Sequence, residues 1–154
     1  MQELFMRAAL KEAEKAQKED EVPIGAVIVK DGKIIAKAHN RKVKKNCAIH
    51  HAEIEAIQKA CKKIGTWHLD DCDLYVTLEP CIMCAGAIIN SRIRKVCFST
   101  EDPKGGAFGS NMNVLEVKGL NHYPEVEKAV LKDESANILK TFFKAKREKA
   151  KNSL

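Results

Sequence analysis

Two stretches constrain the fold most: HHAEIEAI at 50–57 and LEPCIMCAGAI at 78–88. Each opens an apolar helical run with residue types that bind metals. Either alone is weak evidence. Used together, they require a fold that brings two helix starts to one point. Cys81 and Cys84 stand at i and i+3 on the expected first turn of a helix, so both sulfurs point the same way. Unpaired N–H groups and partial positive charge at a helix start favour the thiolate that binds metal. Pro80 is expected at the first helical position, where its missing N–H is tolerated.

The rest of the chain says how the two starts could meet. Residues 2–19 place Leu4, Phe5, Ala8, Ala9, Ala13 and Ala16 near one face of a helix that ends before the Pro23 turn. IGAVIVKDGKIIAKAH reads as two short strands joined by Asp31-Gly32, a strong hairpin signal. Residues 51–63 return to helical spacing, and Gly65 closes that segment. CDLYVTL is expected as a buried strand, CIMCAGAIIN as a helix and KVCFS as a further strand. After the irregular TEDPKGGAFGSNM come a strand around EVEKAV and a basic helix over about 133–149. The order α-β-β-α-β-α-β-β-α implies a single domain spanning 1–154. Its architecture is expected to be a three-layer α/β/α sandwich on one mixed five-stranded sheet, partly parallel because helices connect the later strands.

In such a sheet, neighbouring helices can present their N-termini together at the carboxyl ends of the strands, where open α/β sheets place their sites. His51 is then the natural third ligand beside Cys81 and Cys84. Two thiolates and one imidazole suit zinc, and three protein ligands leave a position for water. A fourth ligand from His50, Cys47 or Cys72 would instead close the shell into a structural zinc knot. Cys-x-x-Cys is also a redox motif, but here it follows Glu-Pro in mid-chain without thioredoxin-like surroundings. Glu53, two residues after His51, stands where a proton-transferring carboxylate would be needed; otherwise it is a solvent-facing helix residue.

Composition narrows the setting. At 154 residues the chain can bury a core without disulfide staples. No apolar run approaches the roughly 18 residues of a membrane span, and the amphipathic N-terminus is unlike a signal peptide. A cytoplasmic location follows as an expectation, so the six cysteines are read as metal ligands or buried thiols; Cys61, Cys72 and Cys97 are assigned to the core. The net charge of +6 is concentrated in residues 30–45 and 140–154. Each cluster is either a solvated face or a footprint for a phosphate backbone.

His51-Ala52-Glu53 with Pro80-Cys81-Ile82-Met83-Cys84 matches the H-x-E…P-C-x-x-C signature of zinc nucleobase deaminases. Over nearly its whole length the chain resembles the bacterial tRNA-specific adenosine deaminases, of the cytidine-deaminase-like superfamily. The likeness includes EVPIGAVIV, HNR, LYVTLEPCIMCAGAIINSRI, DPKGGAFGS, LNH and FFKAKR. The resemblance implies hydrolytic deamination of the wobble adenosine of a tRNA, the arginine tRNA, giving inosine and ammonia. It implies one Zn2+ per chain on His51, Cys81 and Cys84, with Glu53 moving protons to adenine N1 and then to the leaving amine.

By the same resemblance, Asn40 and the backbone at Ala52 address the flipped base. Asp102 and Lys104 lie near neighbouring nucleotides of the anticodon stem-loop, and Phe142 and Phe143 lie near the substrate cleft. A homodimer is implied, with CAGAIINSRI at its interface. Ile49-His50 and Phe108 depart from the family pattern. Guanine or other free-nucleobase deaminases share the zinc motif but typically read Pro-Cys-Pro-Met-Cys. A non-catalytic RNA-binding zinc module is the alternative outside enzymes. The basic clusters favour tRNA, because a free base needs no phosphate footprint.

Overall fold

The computed structural model describes residues 1–153. Its elements run α1 (Gln2–Lys18), β1 (Gly25–Lys30), β2 (Lys33–His39), α2 (Ala52–Ile64), β3 (Cys72–Leu78), α3 (Ile82–Asn90), β4 (Lys95–Thr100), β5 (Glu125–Lys128) and α4 (Lys132–Asn152). A short 3-10 turn at Val114–Glu116 lies within the connection expected to be irregular.

Asp31 and Gly32 both have positive φ, 51° and 74°, the requirement of the two-residue turn that matches strand twist. The strands lie in the order β2-β1-β3-β4-β5. β1 is antiparallel to both β2 and β3, whereas β3, β4 and β5 are mutually parallel. β2, β3, β4 and β5 therefore all point the same way, and their carboxyl ends share one edge of the sheet. The connection into α2, the start of α3 and the loop after β4 all leave from that edge.

Period-2 alternation divides the core. Ala26, Ile28, Leu74, Val76, Val96 and Phe98 face α2 and α3, where Ala52, Ala56, Ala60, Ala85 and Ile88 cover them. Val27, Val29, Tyr75 and Cys97 face the other way, against Phe5, Met6 and Ala9 of α1. α1 and α4 thus lie on one side of the sheet and α2 and α3 on the other, giving the expected three layers. Gly25 lets α1 lie close to β1: a Cβ there would stand 1.9 Å from the Ala9 carbonyl oxygen.

Three local expectations are corrected. Leu4 is exposed, and the buried stripe of α1 runs through Phe5, Met6, Ala9, Leu10, Ala13 and Ala16. α4 extends to Asn152 rather than ending near 149, because no glycine or proline interrupts its lysine-rich last turns. Pro80 is not the first helical residue: Cys81 is the N-cap of α3, in extended conformation at φ −74° and ψ 175°, and Pro80 precedes it. Of the cysteines assigned to the core, Cys72 and Cys97 are fully buried, and Cys61 packs against it half-buried.

Candidate active site

His51 is the N-cap of α2, also extended, at φ −79° and ψ 157°. Cys81 holds the same position on α3, and Cys84 is the third residue of that helix. The extended caps turn their side chains across the gap between the two helix starts. His51 Nδ1 lies 3.7 Å from Cys81 Sγ and 3.6 Å from Cys84 Sγ. Zinc–sulfur and zinc–nitrogen bonds of about 2.3 and 2.05 Å at a tetrahedral angle give a ligand separation of about 3.6 Å. Both distances from His51 match that separation, and the three atoms all lie within 4.8 Å of one another, so they could hold a metal ion. Among the described residues no fourth His, Cys, Asp or Glu joins them. Cys72 Sγ lies near the Asp71 carboxylate, and burial pushes its thiol up to about 11. His50 turns its Nε2 towards Glu55, 3.3 Å from the carboxylate.

The two thiols are shifted in opposite directions. The hydrogen bond from Cys84, helped by His51, holds Cys81 well below the ordinary thiol range, at about 4. Cys84 is pushed up because it keeps the donated proton and is buried. Glu53, the second residue of α2, is only 4 % exposed and lies against Cys84. It does not face solvent. Burial is the largest influence on its carboxyl and pushes it up, against the opposing effect of its own backbone N–H and of His51.

A cleft of about 730 Å³ opens at the same edge of the sheet, its lining separate from the trio, walled by Val22, Leu78, Asp102, Lys104, Phe143 and Arg147 among others. Asn40 stands at its border, buried and oriented by two bonds: Nδ2 donates to the Val22 carbonyl at 3.4 Å, and Oδ1 accepts from the Lys42 N–H at 3.3 Å. Ala52 is fully buried in the first turn of α2. The Asp102 side chain accepts from the Lys104 N–H at 3.1 Å. The two phenylalanines part company: Phe143 is 43 % exposed on the cleft wall, whereas Phe142 is 7 % exposed and lines a separate pocket with Gln17 of α1 and Asp20 in the turn after it. Phe108 belongs to the core rather than to the cleft.

The basic tail divides similarly. Lys140 and Arg147 line the cleft, while Lys146 pairs with Asp20 at 2.6 Å and lies over the Phe142 ring. Lys42, Lys44 and Lys45 are exposed on the β2–α2 connection.

Two buried carboxylates that sequence reasoning did not single out hold the loops at this edge. Glu21 accepts from the Val43 and Lys44 N–H groups at 3.0 and 2.6 Å. Glu79 accepts from Asp102, Phe108 and Ser110 N–H at 3.2, 2.9 and 3.2 Å, and from the Ser110 hydroxyl. The sequence carries a hint only for Glu79, a lone charge at the end of the apolar stretch LYVTLEP; Glu21 ends the charged run KEDE.

A family model for MafB19-like deaminases matches residues 1–147. The chain is 51% identical over 149 residues to the tRNA-specific adenosine deaminase of Bacillus subtilis, covering 97% of this chain and 92% of the relative. Among solved structures it resembles one from a study of A-to-I editing by deaminases acting at the wobble position of transfer RNA. That match has a TM-score of 0.83 and 47% identity, over 88% of this chain and 98% of the other. A guanine deaminase from Nitrosomonas europaea also shares the fold, with a TM-score of 0.79 and 26% identity over 91% of this chain and 83% of that one.

Proposed function

Because this chain belongs to the bacterial tRNA-specific adenosine deaminases, within the MafB19-like deaminases, we propose that it converts the wobble adenosine of a tRNA, the arginine tRNA, to inosine and ammonia with the consumption of one water. The observation that carries this reading is the convergence of His51, Cys81 and Cys84 on one point with the buried Glu53 carboxyl beside them. These three residues would hold one zinc ion. Zinc would supply a Lewis acid that makes water nucleophilic near neutral pH.

The chain's own groups do the remaining work. The Glu53 carboxylate takes one proton from the attacking water and delivers it to adenine N1, then carries the proton left on the new C6 hydroxyl to the departing amine, which leaves as ammonia. Asn40, held by the Val22 carbonyl, has a pre-set amide for the flipped base, and the Ala52 backbone flanks it. Asp102, Lys104 and Phe143 on the cleft wall would meet neighbouring anticodon nucleotides, with Phe143 as a stacking platform. Lys140 and Arg147 offer phosphate contacts that a free base would not need.

A second copy of the chain is proposed to complete the particle. α3 leaves Ile82 exposed and Met83, Gly86 and Ile89 half-covered, an apolar side suited to a matching helix. Among the described residues no helix is long and apolar enough to cross a membrane, in keeping with a cytoplasmic enzyme acting on tRNA.

The test is inosine formation on an adenosine-containing anticodon stem-loop by zinc-loaded protein, with Glu53→Ala alongside. The parent should produce inosine. The variant should keep zinc and RNA binding but lose at least about 100-fold in rate, the lower range for a general acid–base group. Rapid deamination of guanine or free adenosine with the stem-loop ignored would overturn the substrate, and a Glu53→Ala rate near the parent's would remove Glu53 from the chemistry.

A further inference from the structure

We infer that Glu79 is a positioning residue that fixes the substrate loop after β4 to the same strand end that carries the metal ligands. The inference deepens the tRNA reading above and rests on it for the identity of the cleft. Glu79 is 2 % exposed and follows β3 directly, two residues before Cys81. Its own N–H donates to the Thr100 carbonyl at 2.9 Å, extending the parallel pairing of β3 with β4 by one step. Its side chain then reaches into the loop that follows β4. Oε1 accepts from the Asp102 N–H and the Ser110 hydroxyl, and Oε2 from the Phe108 and Ser110 N–H groups.

Four donors use the acceptor sites that a carboxylate has. They come from three positions spread across residues 102–110, so one side chain sets the shape of the whole loop. The loop is built around that side chain. A Cβ on Gly106 would stand 2.3 Å from Glu79 Cδ and 2.6 Å from the Asp102 carbonyl oxygen. The Gly106 N–H closes back onto that same Asp102 carbonyl at 2.8 Å, and the Ala107 N–H bonds the Pro80 carbonyl at 2.9 Å. The segment from Glu79 to Cys81 and the loop bearing Asp102 and Lys104 are therefore one hydrogen-bonded unit.

The consequence concerns binding more than chemistry. Glu79 does not line the cleft, while Asp102 and Lys104 do. A loop that keeps its bound shape only a fraction of the time raises the apparent KM by the inverse of that fraction. Once substrate has re-formed the loop, turnover by Glu53 proceeds as before. Glutamine at 79 cannot imitate the carboxylate in either amide orientation. An NH2 in place of Oε1 faces the Asp102 N–H, and in place of Oε2 it faces those of Phe108 and Ser110.

The test compares Glu79→Gln and Ser110→Ala with the parent as zinc-loaded, full-length protein. Amide hydrogen exchange, zinc content, and KM and kcat on an anticodon stem-loop are measured. For Glu79→Gln, exchange at Asp102, Phe108 and Ser110 should speed up at least tenfold while β3 and α2 amides stay protected. KM should rise roughly tenfold or more, the order expected for losing one hydrogen bond to a charged group. Zinc should stay at one per chain and kcat within about threefold. Ser110→Ala, which leaves the three N–H bonds in place, should shift KM in the same direction by a smaller factor.

Unchanged loop exchange and KM, or a fall in kcat at constant KM, would overturn the inference. If Glu79→Gln fails to fold, Ser110→Ala decides, and a KM equal to the parent's then overturns it. A parent inactive on the stem-loop would sink the substrate reading instead, and the exchange measurement would still decide what Glu79 does.

Discussion

Two adjacent phenylalanines should fail in opposite ways when removed. Phe142 is 7 % exposed, its ring edge-to-face with Phe143 at 5.4 Å and covered on its other side by Lys146 Nζ at 5.6 Å. Core Phe→Ala changes cost about 3–5 kcal/mol. Phe142 belongs to neither main core cluster, so its loss should fall at or just below that range, near 3 kcal/mol. With a urea slope of about 1–3 kcal/mol/M, the midpoint would drop by one to a few molar. Phe143 is 43 % exposed and keeps the aromatic pairing as its one specific contact with Phe142, so Phe143→Ala should cost only about 1 kcal/mol of stability. Its effect should appear in RNA binding. Stacking of one base is worth about 1–3 kcal/mol, or roughly 5- to 150-fold in affinity. Urea unfolding and stem-loop titration at a temperature where both variants are folded separate the two outcomes. If Phe143→Ala binds the stem-loop like the parent, or if Phe142→Ala loses as much affinity, the division of the two rings between cleft and core is wrong.

Cys84→Ser should reduce zinc well below one per chain by elemental analysis and lower the melting temperature, because metal binding and folding are coupled; zinc retained at one per chain would remove Cys84 from the ligand set. Neutralising Lys140 and Arg147 together should flatten the log–log salt dependence of stem-loop binding by about 1.4, at roughly 0.7 per contact to a single-stranded loop. Lys146→Gln should do less, since that ammonium is already paired with Asp20, and an equal effect would contradict the proposed cleft.

Much of this was legible because the informative signals are local. Asp31-Gly32 demands a turn whatever surrounds it, and the apolar runs of β1, β3 and β4 mark strands, although apolar residues on both faces leave their division between the two helix layers unread. That His51, Cys81 and Cys84 meet was readable because helix starts restrict where their side chains can point. What escaped depends on long-range placement. Whether Phe142 or Phe143 faces the cleft is set by how α4 rolls against α1, which the run FFKAKR does not encode. What Glu21 and Glu79 hold could not be read from the sequence because their partners are mainly backbone N–H groups, which every residue except proline has. Only the tertiary path of the loops turns those glutamates into clamps.

The positions of His51 and Cys81 carry a cost for the resting fold. Both are N-caps, and neither side chain bonds a first-turn N–H of its helix. Serine, threonine, aspartate or asparagine in those places would each typically contribute about 1 kcal/mol to the helix. The chain has given up the best anchoring of two central helices so that their first side chains can face one another. Serine at 81 would be a better cap and a poorer ligand, so a Cys81→Ser variant mixes a gain in the helix with a loss at the site. Cys84 has no capping duty. α1 and α4 also start without a side-chain cap, at Met1 and Leu131, so consensus helix capping of this protein has four positions to try, and at two of them, His51 and Cys81, success disarms it.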